Sequence, residues 1–173
     1  MQNQKAILFF LLKFIGLYIV LNTIYGAWIQ YYNSMPDPVT KAVTHHTAAL
    51  LSVAQDDVSV GDGSGSPNVP LQQNGKTVVS VFEGCNGLNV MIVFISFIVA
   101  FTGTWKKTVV FIVIGVALIY VFNLFRVGLL FYIARYWPDN LYFFHKYLFT
   151  GLLYAMVFFL WYIWVRRIWP AKE

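Results

Sequence analysis

Val81-Phe82-Glu83-Gly84-Cys85-Asn86-Gly87-Leu88-Asn89 marks the point where the one sizeable polar region of the chain gives way to a long apolar run. It also carries the sole cysteine. Gly84 and Gly87 flank the thiol with backbone free to turn sharply or to approach another segment closely. A helix starting at Leu88 places Cys85 at its N-terminal end, where unpaired N–H groups and the helix dipole favour a thiolate. The plainer alternative is a small, inert, buried hydrophobe. The rest of the chain bears on that choice.

Of the 173 residues, 59% are hydrophobic, 19% aromatic and only 11% charged, a balance foreign to soluble domains and expected of an integral membrane protein. The net charge of +5 does not gather into a stripe that would grip nucleic acid. Its cations cluster between apolar runs, as membrane orientation requires. A single cysteine excludes an intramolecular disulfide and a CxxC redox pair. With three histidines as the only other soft ligands, no metal or other cofactor is expected. His45-His46 is a tempting pair, but adjacent helical residues point about 100° apart and no third ligand accompanies them.

Four apolar runs are long enough to be read as spans. Residues 6–25 form the first, interrupted by Lys13 and Asn22. Its 20 residues cover a hydrocarbon core of about 30 Å at about 1.5 Å per residue, and a retained anchor fits better than a cleaved signal peptide. Residues 88–104 form the second, 108–133 the third and 142–165 the fourth. The fold predicted is an all-α, four-helix transmembrane bundle within a single domain over residues 1–173. The polar region, about 30–84, joins the first two spans. Within it, 40–55 has helical apolar spacing, Gly61–Pro67 is rich in turn formers, and 76–82 reads as a strand after an Asn74-Gly75 turn.

Lys5, Lys106-Lys107 and Arg166-Arg167 fall on one side of such a bundle. The polar region, with five acids against two lysines, falls on the other. The positive-inside rule then puts both termini in the cytoplasm and the polar region outside. Depth can be compared across helices. Lys106 lies 21 residues beyond Cys85, Arg126 19 beyond Lys107, and Arg166 21 beyond His145. At about 1.5 Å per residue, Cys85, Arg126 and His145 all stand roughly 28–32 Å from the basic anchors, at one outer rim.

Each of these has an ordinary reading as well. Arg126 could be an interfacial anchor, although an ionisable group inside an apolar run generally faces the bundle and a partner. Asn123, one turn earlier, shares its face and could hold the guanidinium. His145 could be interfacial without chemistry. Asn89 lies four residues from Cys85 and could orient the thiol or merely pack. Together, thiol, imidazole and guanidinium make a complete set for acyl transfer: nucleophile, acid–base group and oxyanion donor.

Cys85-Asn86-Gly87-Leu88 at the head of one span, Asn123-Leu124-Phe125-Arg126-Val127 in the next and Phe144-His145 opening the last resemble the exosortase/archaeosortase family. Members are polytopic membrane proteins regarded as cysteine transpeptidases that process C-terminal sorting signals. The likeness covers about residues 79–165 and resembles a compact form, with four spans where larger members have more. It implies catalytic roles for Cys85, Arg126 and His145. It also implies a multi-pass protein of the inner (plasma) membrane with its site on the extracytoplasmic side. The implied partners are the lipid bilayer and exported proteins anchored by their own C-terminal helix. Two rival classes remain open at this point. One is a non-enzymatic scaffold, in which Cys85 tolerates substitution. The other is a small transporter, for which the spans offer few polar residues to line a path.

Overall fold

The computed structural model describes residues 2–168 apart from 33, 64 and 102. Residue 64 of the Gly61–Pro67 segment, residue 102 of the expected second span and the two chain ends therefore lie outside the description. The chain runs through α1 (Gln2–Tyr32), α2 (Pro38–Leu51), β1 (Val58–Val60), β2 (Val69–Gln73), β3 (Lys76–Val81), α3 (Leu88–Ala100) and α4 (Trp105–Tyr136). It closes with a 3-10 turn, the single helical turn α5 (Leu141–Phe143), a π-helical turn at Phe144–Leu148, and α6 (Phe149–Ile168).

Three stretches are long and apolar enough to cross a membrane: Gln4–Tyr32, Trp105–Tyr136 and Pro138–Arg167. The fourth apolar run behaves differently. Its helix α3 has 13 residues and ends where Phe101 turns extended. At about 1.5 Å per residue it reaches about 20 Å, short of a hydrocarbon core of about 30 Å. What it lacks in length it makes up in burial. Phe94 and Ile98 are fully enclosed and pack with Ile119 of α4 and with Leu153, Val157, Leu160 and Trp164 of α6. Gly115 of α4 makes this possible, because a Cβ there would come within 2.2 Å of the Phe94 ring. On its other side α3 meets α1 through edge-on rings, with Phe10 against Phe97 and Phe101 and Phe14 against Phe97. Most other apolar side chains of α1 are exposed, as suits a helix facing lipid.

The membrane part is thus all-helical. The stretch expected as a loop region is folded: α2 and a three-stranded antiparallel sheet in the order β1-β2-β3 form a cap. Asp37 starts α2 by accepting hydrogen bonds from the Val39 and Thr40 N–H groups at 2.9 and 3.0 Å, and Pro38 fills the first helical position. Asn74 and Gly75 both adopt positive φ, the geometry of the two-residue hairpin turn between β2 and β3. The cap closes over the C-terminal half of α4. Val43, Leu51, Leu71 and Val81 cluster there with Val127 and Phe131, and Cys85 belongs to the same cluster.

Candidate functional site

Cys85 does not ride on a helix. It ends a 3-10 turn, Glu83–Cys85, and Gly87 at φ 85° caps α3 two residues later. Cys85 therefore precedes the N-terminus of α3 on a separate turn rather than riding on its first turn. The same turn removes Asn89 from the thiol's face: Asn89 is exposed and plays no part in the site. The i, i+4 relation that linked it to Cys85 holds only along an unbroken helix.

The other expected residues do converge. Cys85 Sγ and His145 Nε2 lie 3.2 Å apart, a contact between residues 60 apart in sequence. His145 is carried on the π turn, a form that turns up frequently at functional sites. Thr150 Oγ1 donates to the His145 carbonyl at 3.0 Å and holds that wide turn. Arg126 is buried on α4, and Asn123 couples it to the cysteine. Asn123 Nδ2 donates to the Cys85 carbonyl at 2.8 Å, while its Oδ1 accepts from Arg126 Nη1 at 3.3 Å. Gly87 makes room for this, since a Cβ there would press within 3.2 Å of the Asn123 amide. Arg126 Nε remains buried with no hydrogen-bond partner among the described residues. A buried donor without a partner is costly, and such groups often await a ligand.

A polar network missed from the sequence anchors the cysteine turn from the other side. Asn86 is completely buried. Its Nδ2 donates to Thr40 Oγ1 at 3.3 Å and Tyr25 Oη at 3.4 Å, and its Oδ1 accepts from the Leu88 N–H at 2.9 Å. Tyr25 Oη donates in turn to the Glu83 carbonyl at 3.3 Å, and Thr40 Oγ1 to Asp37. One asparagine thus ties α1, α2 and the start of α3 to the turn that bears the thiol. The available signal was an amide wedged between the thiol and a glycine at the head of an apolar run, where an amide unpartnered in a membrane core is costly. His46, dismissed as a metal ligand, shares a 2.7 Å hydrogen bond with Tyr120 and locks α2 to α4.

Beside the thiol–imidazole pair opens a cavity of about 460 Å³, lined by β3 residues 78–81 with Phe82, by Val127 and Leu130, by Leu141 and Tyr142, and by Cys85 and His145 themselves. Arg126 is not part of its wall. It lies behind, close enough for its charge to act on the sulfur. Burial is the strongest influence on Cys85 and pushes the thiol above its ordinary pKa. The Arg126 charge and a backbone hydrogen bond at Phe82 pull it down, and Glu83 pushes it up. The resting group is therefore a thiol at neutral pH, and its activation falls to the imidazole beside it. Iodoacetamide should alkylate Cys85 slowly at pH 7, with a rate still climbing beyond the pH at which a free thiol levels off. Arg126 favours the thiolate, so Arg126→Gln should displace that profile further toward alkaline pH. A profile that levels off near or below neutrality would contradict this electrostatic account.

No curated protein and no solved structure matches the chain. A family model described as transmembrane exosortase (Exosortase_EpsH) matches residues 5–164, taking in α1, the cap and the segments that bear Cys85, Arg126 and His145. With nearly its whole length matched, the chain belongs to the transmembrane exosortase family.

Proposed function

We propose that the protein is a membrane-embedded cysteine protease/transpeptidase that removes C-terminal sorting signals from exported proteins. The observation that carries this reading is the 3.2 Å contact between Cys85 Sγ and His145 Nε2 at the wall of a mostly apolar cavity. Family membership supports the same activity. In this reading α1, α3, α4 and α6 make a four-membered bundle in the inner (plasma) membrane, α3 being its short, enclosed member. The basic ends lie in the cytoplasm, and the cap and the site face the extracytoplasmic side. Substrates are exported proteins held by their own C-terminal helix.

The chemistry follows from the donors present. Cys85 attacks the scissile carbonyl while its proton passes to His145 Nε2. The oxyanion that forms is stabilised by the charge of Arg126, whose unpartnered Nε–H donates to it once the bound substrate draws the side chain forward from behind the cavity wall. As the C–N bond breaks, the imidazolium returns the proton to the leaving amine, and the upstream part of the substrate remains as a thioester on Cys85. An external amine or water then gives its proton to His145 and attacks the thioester, and the sulfur leaves as a thiolate that takes this proton back from the imidazolium, restoring the thiol. Asn123 holds the geometry by fixing the Cys85 carbonyl and the guanidinium together.

The test is to trap that thioester. The protein, incubated in membranes with an exported precursor that carries a C-terminal sorting signal, should yield an adduct with the precursor's upstream fragment. Neutral hydroxylamine should release it. Alkylation of Cys85 beforehand should abolish both adduct and cleavage. Cleavage that continues after Cys85 is blocked would remove the thiol from the mechanism.

A further inference from the structure

Strand β3 lies at the edge of the sheet, and its consecutive residues Val78 to Val81 line the cavity. The direction of its backbone groups follows from the ladder. The Gly61 N–H donates to the Pro70 carbonyl at 2.8 Å, so the backbone of Pro70 faces β1. Its neighbours Val69 and Leu71 then face β3, opposite Val81 and Val79. Between those two, Ser80 turns its N–H and C=O away from β2, since successive residues of an antiparallel strand alternate in this way. Ser80 is exposed, lines the cavity, and has no backbone partner among the described residues. Five residues further on is Cys85.

Exposed strand edges invite pairing, and proteins commonly guard them with charges or proline. Here the one such residue of β3 is Lys76 at its far end, while Thr77–Val81, which runs toward the thiol–imidazole pair, contains neither. The irregular register opposite Leu71 and Gln72 leaves Val78 as an extra residue, a bulge of the kind that re-aims strands beside active sites. The cavity volume of about 460 Å³ is within the range of ligand sites. A peptide bond can be attacked only if its carbonyl is free of helical hydrogen bonding. A segment unwound next to a membrane helix needs new partners for its N–H and C=O groups. The free edge of β3 supplies them within reach of Cys85.

We propose that the substrate segment at the cleavage site binds as an added strand on the outer edge of β3, anchored by the Ser80 peptide group. This rests on the protease reading above and names how that site holds its substrate. Backbone pairing of this kind provides affinity with little demand on side-chain identity. The apolar wall opposite, Val127, Leu130 and Leu141, then favours uncharged side chains facing it.

The test replaces Ser80 by proline, which deletes the outward N–H and fills the edge with a ring, at a position where edge strands accept proline. Cleavage of the precursor in membranes by the Ser80→Pro protein should fall by about tenfold or more, as expected for a lost anchoring hydrogen bond plus a steric block. The alkylation rate of Cys85 should stay within about twofold of wild type, showing the site intact. Cleavage at the wild-type rate overturns the proposal. Should alkylation fall as well, peptides spanning the cleavage junction decide with the unmodified protein. N-methylation should block cleavage at one position or at every second position and be tolerated between. Uniform tolerance, or loss without alternation, overturns it. If the wild-type protein leaves the precursor uncut, or cuts it with Cys85 alkylated, the protease reading itself fails. That outcome is separable from a failure of strand addition alone.

Discussion

An exported precursor keeps its C-terminal segment in cells whose sole copy of this protein carries Cys85→Ala. The change removes one sulfur from a side chain that is 5% exposed and joins in packing the cap onto α4, so the fold loses little. What disappears is the atom proposed to form the acyl intermediate. Where a nucleophile of this kind is deleted, turnover falls by on the order of 10⁶, leaving only what oriented binding and the oxyanion donor provide. On an immunoblot that is complete absence of product. Cys85→Ser should behave nearly as badly, because a hydroxyl ionises far less readily than a thiol. Cleavage at the normal rate by Cys85→Ala would end the nucleophile assignment, and the scaffold reading would become the better one.

Arg126→Gln comes next in size. Of the side chains around Cys85, Arg126 brings a fixed positive charge and a donor, Nε, with no partner in the resting state. Loss of one oxyanion donor costs about 2.7–4 kcal/mol, a fall of about 10²–10³ in turnover. The loss should appear in kcat with KM little changed, because the donor acts on charge that develops only during the reaction. Arg126→Lys should rescue poorly. A lysine ammonium cannot present separate donors to Asn123 and to an oxyanion in one rigid plane. Thermal unfolding in detergent distinguishes this from collapse of the helix. An Arg126→Gln protein that cleaves at full rate would leave the guanidinium a purely structural partner of Asn123.

Much of this arrangement could be read from residues alone, for a physical reason. Hydrophobic length fixes where helices cross, basic flanks fix their ends, and the rise per residue then fixes depth, which is how Cys85, Arg126 and His145 came to be placed at one level. Rotation and local chain path are not encoded so simply. The sequence places Asn89 on the thiol's face because the turn at Gly87 carries no signature beyond a glycine. The short reach of α3 is hidden because no charge interrupts the run before Lys106, while the backbone already turns extended at Phe101. The cap was legible in fragments, as a helix, a turn and one strand. The pairing of β1 with β2 was not, because three residues of weak alternation acquire meaning only against their neighbour. The tie from Asn86 to Tyr25 spans 61 residues, and no local pattern announces it.

The wide turn at Phe144–Leu148 separates two duties that one uniform rod would have to share. Below it, Leu153, Val157 and Leu160 lock α6 against its neighbours at ordinary α spacing. At its head, the surplus residue of the turn offsets the imidazole by about 100° from where an unbroken spiral would aim it. Anchoring and aiming are therefore set independently, like the barrel and the sight of an instrument. The buried stripe of α6 can accumulate volume-conserving exchanges while His145 stays trained on the sulfur.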